Sequence, residues 1–384
     1  KWDNSIADGV ISITNNAAFT IPGDVIMGTP ENPYEIFTNT GTNTTQNLTI
    51  YSKKFNNLGG MRINGSMSLS SKYINASDSV LDVSDNVQIS GDSFKLRNST
   101  NMVGGILSLE LSNLLVDGGS ASTNFFYVGN GILSESESNS GKLLSSQIFI
   151  KADSYKSVPV LWNSSEDMGP VHGGFVDNRA IGLLSLTNAY LGVFDFHKTS
   201  KSKKAIYIDK LVFEGLTEDA LLTNKLDQLN IKDGMTVYFA ASNLPEEKLD
   251  GMRDGKLKWV KDFAGQYSSM PIYLPGSGQS VMVNRAHRRS KIFDTDNDGV
   301  ANGFDPTPYG DGLPKLSVDG RLIHWLGIPN RSYKIEYTQK LGDQSKWNIL
   351  GLIKNEKTVF DYISYRLPKS FIASDQGIET VYIR

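Results

Sequence analysis

Apolar and polar residues alternate in short runs through the first part of the chain. Between residues 61 and 116 the apolar residues come in pairs two positions apart, such as Met67 with Leu69 and Val87 with Ile89. Ser, Asn, Asp and Gly separate the pairs. Because alternation with a period of two is typical of strands that bury one face, this segment predicts short β-strands joined by turns.

These apolar pairs recur at a fixed spacing of 20 residues. The positions that line up are Met67, Val87 and Leu107, then Leu69, Ile89 and Leu109, then Ile74, Phe94 and Leu114, then Ala76, Leu96 and Val116, and also Ile63 with Val83. A fixed period with about three strand segments in each repeat is typical of a parallel β-solenoid. An antiparallel β-sandwich also has short, regularly spaced strands, but it does not predict apolar residues at one constant offset.

The fold class that follows is mainly β, with a parallel β-solenoid (β-helix) over residues 1–215. About ten coils that each rise about 4.8 Å would give a rod about 50 Å long. Residues 216–292 are predicted to form an α+β cap or connector, which begins with a helix that carries Leu221, Leu222, Leu226 and Leu229. Residues 293–314 are predicted to be a calcium loop and linker, and residues 315–384 alternate as expected for a small β-sandwich module.

Residues 294–305 carry oxygen-bearing side chains at the alternate positions that a calcium loop requires. The predicted metal ligands, at loop positions 1, 3, 5, 7, 9 and 12, are Asp294, Asp296, Asp298, the backbone carbonyl of Val300, Asn302 and Asp305. Gly299 stands at position 6, where the loop turns sharply. Since Ca²⁺ prefers six to eight oxygen ligands, the sequence predicts Ca²⁺ as the bound ion.

The loop departs from an EF-hand, because position 12 is Asp instead of Glu and Pro306 follows it in place of a helix. The run Asp-x-Asp-x-Asp-Gly-Val-x-Asn-x-x-Asp-x-x-Pro resembles the calcium loops of thrombospondin type 3 repeats and of related secreted bacterial proteins. That resemblance covers about 15 residues and implies a structural ion that ties two domains together. Residues 329–337 and 347–350 also resemble the fibronectin-like modules that end many secreted bacterial proteins.

Charge and composition argue against several classes of function and site. A net charge of -3 argues against a nucleic-acid partner, because phosphate binding requires a basic face. The absence of cysteine in 384 residues excludes disulfides, thiol nucleophiles and thiolate metal sites. No apolar run approaches the length of a membrane-spanning helix, and the start at Lys1, without an initiator Met or a signal peptide, indicates a processed or truncated chain. A calcium site of this kind together with a Cys-free, Ser- and Asn-rich composition predicts an extracellular, secreted or cell-surface location.

We find no catalytic motif among the four histidines, and none of the nucleophile or phosphate-binding motifs. The enzymatic alternative is polysaccharide cleavage, which would need two neighbouring carboxyl groups on the outer face of the solenoid. Asp78, Asp82 and Asp85 are the candidates, although they are also typical turn residues. The prediction is therefore a protein that is not an enzyme, with no catalytic residues.

As a whole the chain resembles the β-helix regions of bacterial adhesins and surface fibres. That resemblance implies a structural protein with a calcium-braced interdomain joint. Its partners would be further copies of itself, in a filament built through an open N-terminal coil near residues 9–13, or a surface glycan bound by a monomeric adhesin. The basic run at residues 197–204 is a further candidate for binding an anionic surface polymer.

Overall fold

A computed structural model of the chain describes residues 12–116, 123–136, 143–153, 156–162, 166–176, 178–189, 191–197, 205–224, 226–338, 346–368 and 382–383. The chain divides into two compact units, Lys1–Ser268 and Ser269–Arg384. Most of the basic run at residues 197–204 and most of the predicted open coil at residues 9–13 lie outside the described residues. Within the described part of the chain, no helix has the length and apolar character needed to cross a membrane.

The first unit is a parallel β-solenoid of about ten turns, which confirms the predicted fold class. Its strands form two sheets of 11 strands each. The strands of the first sheet, here called sheet A, are β1 (Ser12–Asn15), β3 (Val25–Met27), β4 (Tyr34–Asn39), β6 (Leu48–Asn57), β8 (Met67–Ser77), β10 (Val87–Arg97), β12 (Leu107–Val116), β14 (Ile132–Ser136), β16 (Ser157–Trp162), β18 (Val193–Phe196) and β20 (Leu229–Ile231). The strands of sheet B are β2 (Phe19–Thr20), β5 (Thr42–Thr45), β7 (Gly60–Ile63), β9 (Val80–Val83), β11 (Thr100–Val103), β13 (Asn124–Val128), β15 (Ser146–Lys151), β17 (Ile181–Thr187), β19 (Ala205–Glu214), β21 (Thr236–Ser242) and β22 (Leu257–Trp259).

The period of 20 residues is the register of the solenoid coils from β7 to β12. Val87 pairs with Met67 on one side and with Leu107 on the other, and Phe94 pairs in the same way with Ile74 and Leu114. All of these side chains are buried, so equivalent apolar residues of successive coils stack into ladders inside the solenoid. The repeat in the sequence therefore predicted the pairing residue by residue.

Each long strand of sheet A bends near its middle and so contributes two faces. In β8 the alternation of buried and exposed residues is broken at Lys72 and Tyr73, which are both exposed, and it then resumes at Ile74. Successive side chains of a straight strand point to opposite sides, so two neighbouring exposed residues mark a bend. With sheet B as the third face, each coil has the three strand segments that the sequence predicted.

Buried asparagines stack inside the first coils beside the apolar ladders. The Asn39 Nδ2 donates to Asn57 Oδ1 at 2.9 Å, and Asn15 Nδ2 donates to Asn39 Oδ1 at 3.0 Å. Asn39 is fully buried. Burial of an amide costs free energy unless the amide is hydrogen-bonded. Each of these asparagines bonds to the one in the next coil, so successive coils can bury an Asn at this position.

The solenoid continues through the residues that the sequence assigned to the connector. Strands β20, β21 and β22 join its two sheets, so its last coils reach Trp259. The helices are short: α1 (Gly173–Val176), α2 (Glu218–Asn224), α3 (Glu246–Leu249), α4 (Met252–Gly255) and α5 (Arg285–Arg288), with one 3-10 turn at Leu143–Ser145. Helix α2 lies where the leucine spacing predicted a helix, but it ends before Leu226, which has a φ of 57°.

Part of sheet B is covered on its outer side by the chain itself. Tyr207 and Tyr238 stack on that face with ring centroids 4.6 Å apart. Phe175 and Phe263, whose rings are 4.0 Å apart, pack in the same buried cluster. This outer cluster buries residues on both sides of β19 and β21, so these strands lack the simple alternation of the early coils. The 20-residue register itself is lost because the connections between paired strands differ in length: Thr100 pairs with Phe125 and Gln147 with Leu183.

The second unit contains three small antiparallel sheets. A hairpin pairs β23 (Ser269–Leu274) with β24 (Gln279–Asn284). Two three-stranded sheets follow, one formed by β25 (Ser317–Asp319), β26 (Leu322–Gly327) and β29 (Asp361–Arg366), the other by β27 (Ser332–Thr338), β28 (Asn348–Lys354) and β30 (Tyr382–Ile383). Ile323, Trp325, Ile335 and Ile363 form a core shared by these two sheets.

One buried carboxyl group gives the solenoid an expected pH dependence. Asp209 is fully buried, and its carboxylate accepts hydrogen bonds from Tyr267 N at 2.7 Å and from the Ser268 hydroxyl. Burial raises the pKa of Asp209 to about 6. Because the folded state holds this proton more tightly than the unfolded state, the free energy of unfolding should fall by about 2 to 3 kcal/mol as the pH rises from about 4 to about 6, and should then level off.

The measurement is urea unfolding at a series of pH values for the wild type and for Asp209→Asn. The variant lacks the titrating group, so its stability should lose this component of the pH dependence, whatever its absolute stability. Parallel pH profiles for the two proteins would contradict the role of Asp209.

Candidate metal centre

The predicted calcium loop lies in the second unit, between helix α5 and the strand β25. Its first three carboxylates converge: oxygens of Asp294, Asp296 and Asp298 lie within 4.8 Å of one another. Two residues in the left-handed region of φ make the sharp turn, Asn297 at 58° and Gly299 at 95°. Asn and Gly tolerate this conformation best, so the local sequence suits the turn that brings the carboxylates together.

Backbone amides hold two of these carboxylates in place. Gly299 N donates to Asp294 Oδ2 at 2.8 Å, and Val300 N donates to Asp298 Oδ1 at 2.9 Å. One oxygen of the Asp294 carboxylate and one oxygen of the Asp298 carboxylate therefore accept hydrogen bonds from within the loop. The other oxygen of each remains for a ligand.

Among the described residues, three buried carboxylate oxygens around the loop have no hydrogen-bond partner: Asp294 Oδ1, Asp296 Oδ1 and Asp305 Oδ2. Asp305 is only 5% exposed, and its other oxygen accepts from Thr307 N at 2.7 Å. A buried anionic oxygen without a donor is costly, and a cation is the usual compensation. The set of oxygen donors therefore fits a hard cation such as Ca²⁺.

The electrostatics of Asp296 agree with this geometry. Burial is the largest cause of a raised pKa at Asp296, and the neighbouring charges of Asp298, Asp305 and Asp294 raise it further. Like charges that repel one another favour the protonated form. A divalent cation at the loop would reverse that effect, because it attracts all four carboxylates.

Asn302 and Val300 are placed differently from the acidic residues. Asn302 is fully buried, its Oδ1 accepts from Thr295 N at 2.9 Å, and its Nδ2 donates to His287 O at 3.0 Å. Its side chain thus fastens the loop to the end of α5. Val300 is exposed, and its backbone lies in the turn between Asp298 and Asn302, where its N–H donates to Asp298. The structure brings Asp294, Asp296 and Asp298 together, and Asp305 lies near enough for its charge to raise the pKa of Asp296. The side-chain amide of Asn302 is engaged in hydrogen bonds that hold the loop.

Two residues outside the loop support it, and sequence reasoning missed both. Arg288 at the end of α5 donates from Nη1 to Asn302 O at 2.7 Å and from Nη2 to Asp305 O at 3.3 Å. Tyr362 in β29 donates its hydroxyl to Asp296 O at 3.2 Å. Burial raises the pKa of Tyr362, and the charges of Asp296 and Asp294 raise it further. No local motif signals either residue. Tyr362 is 66 positions from Asp296 in the chain, so no short sequence pattern can connect the two.

The segment predicted to be a linker is packed. Tyr309 is 3% exposed and belongs to a cluster with Leu274 and Val283 of the hairpin and Ile328 near the C-terminal sheets. Its ring centroid lies 4.6 Å from that of Phe360. The loop and the residues after it therefore contact both the hairpin and the C-terminal sheets of the same unit.

Two of the three acidic residues considered for polysaccharide cleavage, Asp78 and Asp82, are engaged in surface pairs. Asp78 accepts from Asn98 Nδ2 at 2.9 Å and from Arg97, and these two hydrogen bonds lower its pKa. Asp82 lies 3.4 Å from Arg62. A general acid needs a raised pKa, so the environment of Asp78 does not suit that role.

Comparisons of this chain with protein-family models, with curated proteins and with solved structures give no match.

Proposed function

We propose that this chain is an extracellular structural protein without enzymatic activity, and that a calcium ion braces its second unit. The observation that carries the proposal is a group of three buried carboxylate oxygens, on Asp294, Asp296 and Asp305, that have no hydrogen-bond partner in the part of the chain that the structure describes. Bound Ca²⁺ would be held by these residues with Asp298, and by the Val300 carbonyl at the turn. Its chemistry there is the neutralisation of four converging negative charges.

The loop is hydrogen-bonded to elements on both sides of it in the second unit. Arg288 connects the loop to α5, and Tyr362 connects it to β29 of the C-terminal sheets. In this proposal Ca²⁺ fixes the loop between these two contacts, and thereby fixes how the hairpin and the C-terminal sheets pack together within the second unit. The sequence predicted a calcium-braced joint between the solenoid and the C-terminal module, and that joint stays a prediction; the brace proposed here acts within the second unit.

Association of the solenoid with copies of itself in a head-to-tail filament depends on the strand edges at its ends. At the C-terminal end two outward backbone groups of β22 are occupied: Leu257 O accepts from Gly251 N, and Trp259 N donates to Asp250 Oδ1, both at 2.9 Å. One backbone group at the edge of β20 is also occupied, since Lys256 Nζ donates to Ile231 O at 3.1 Å. A strand edge whose groups are already bonded is a poor template for another chain.

This closed end favours the second candidate function, a monomeric adhesin that presents a side face to a surface glycan. A head-to-tail filament would have to add each new copy to an edge that the chain itself has filled. The filament remains a prediction, and it would have to form through a different surface.

We expect the purified protein to form separate short particles in negative-stain electron microscopy, both with millimolar calcium and with chelator. Sedimentation velocity should give the mass of a monomer under both conditions. Filaments in calcium would contradict the monomeric adhesin and support the polymer. Filaments that dissolve in chelator would further place the loop at the contact between copies.

A further inference from the structure

We propose that a shallow groove on the outer side of sheet A binds a linear, uncharged polysaccharide. This inference rests on the proposed monomeric adhesin, because it names the face and the ligand class of that function. The groove runs across four successive coils and has a volume of about 500 Å³. The residues that line it are Asn47, Leu48, Thr49, Ser66, Met67, Ser68, Asn86, Val87, Gln88, Ile106 and Ser108.

The groove repeats one kind of chemistry from coil to coil. Thr49, Ser68, Gln88 and Ser108 stand at the same register in β6, β8, β10 and β12. Successive coils of a parallel sheet are about 4.8 Å apart, so the groove presents a hydroxyl or an amide at each of these steps. A linear polymer of sugar units offers hydroxyl groups that repeat along its own length and can both donate and accept.

The walls of the groove are set by the fold, which favours binding without reorganisation. Asn47 Oδ1 accepts from Ser66 N at 2.8 Å, and Asn86 Oδ1 accepts from Ile106 N at 2.8 Å. These bonds join the first coil of the groove to the second and the third to the fourth, at the corner beside the groove. A preorganised site loses less conformational entropy on binding, which suits a ligand that makes many weak contacts.

Charge selects among polymeric ligands. All residues that line the groove are uncharged, so it offers no compensation for carboxylates, sulfates or phosphates on a ligand. An anionic polymer would lose hydration there without gaining an ion pair. The ligand class is therefore neutral polysaccharide, and the groove has no carboxylate pair that would cleave it.

The test is affinity electrophoresis and titration calorimetry of the whole chain with soluble dextran, mannan, xylan and mixed-linkage β-glucan, and with polygalacturonate as the anionic comparison. We expect binding to at least one of the neutral polymers and none to polygalacturonate. The variant Ser68→Arg/Ser108→Arg fills the groove at two partly exposed positions, and it should weaken binding about tenfold or more. The matched control Thr44→Arg/Thr100→Arg adds the same two charges at partly exposed positions of sheet B, and it should bind like the wild type.

Several outcomes would overturn the proposal: no binding to any of the neutral polymers, binding to polygalacturonate alone, or equal weakening by the two double variants. Unchanged thermal unfolding of both variants shows that they are folded. A monomeric particle that binds none of the neutral polymers overturns the groove and leaves the calcium-braced structural role standing. Filament formation contradicts the monomeric adhesin itself, and the sedimentation measurement detects it separately.

Discussion

Gly91→Ala is expected to lower the free energy of unfolding of the solenoid by about 3 to 5 kcal/mol. A Cβ atom at this position would lie 1.9 Å from the backbone oxygen of Ser71 in the preceding coil. A rotamer change cannot relieve a contact between a Cβ and a backbone oxygen, so the two coils would have to move apart. Both belong to the central ladder of sheet A, where each coil bonds to the next over most of a strand.

Urea unfolding followed by far-UV circular dichroism measures this effect on the transition of the solenoid. Ser90→Ala is the matched control, since Ser90 is the neighbouring residue of the same strand and is partly exposed. We expect that control to change stability by less than about 0.5 kcal/mol. Equal midpoints for Gly91→Ala and wild type would show that the coils are not packed as closely at this point.

Asp296→Ala combined with Asp298→Ala is expected to abolish the stabilisation of the second unit by calcium. For the wild type, free calcium at a hundred to a thousand times the dissociation constant should raise the free energy of unfolding by about 3 to 4 kcal/mol. The double variant lacks two of the four carboxylates, so calcium should add little. In chelator the variant should be at least as stable as the wild type, because burial and the neighbouring carboxylates already raise the pKa of Asp296 and so disfavour its charge.

Limited proteolysis near residue 300 and thermal unfolding, each in millimolar calcium and in chelator, check this expectation. Asp319→Ala is the control, because Asp319 is an exposed acid in β25 outside the loop. It should keep the full calcium response. A wild type that shows no calcium response, or a double variant that keeps it, would remove the calcium brace from the proposed function.

The comparison of Gly91 with Leu111 shows where sequence reasoning stopped. The two residues have the same register in adjacent coils, and Leu111 is buried in the ladder. The repeat alone would suggest that leucine suits position 91 as well. Only the three-dimensional packing reveals that the backbone of β10 approaches Ser71 too closely for any side chain at position 91.

The sequence likewise predicts one part of the geometry of the acidic loop and leaves another part unpredicted. The alternate spacing of Asp294, Asp296 and Asp298 already places their side chains near one point, because a tight loop of this length has few ways to fold around Gly299. The spacing could not show that the side-chain amide of Asn302 forms hydrogen bonds with Thr295 and His287. Nor could it show the contact of Tyr362 with Asp296, because a hydrogen bond across 66 residues leaves no local pattern.

The sequence by itself determined the parallel solenoid, its coil register from Met67 to Val116 and the convergence of the acidic loop, because each of these depends on spacing between near neighbours or on an exact repeat. The tertiary structure decided where the solenoid ends, how its C-terminal edges at β20 and β22 are closed, which residues outside the loop support the candidate metal centre, and which outer face is grooved. These features depend on contacts between segments that are distant in the chain, and the free energy of such contacts is set by packing and hydrogen bonding that no local pattern records.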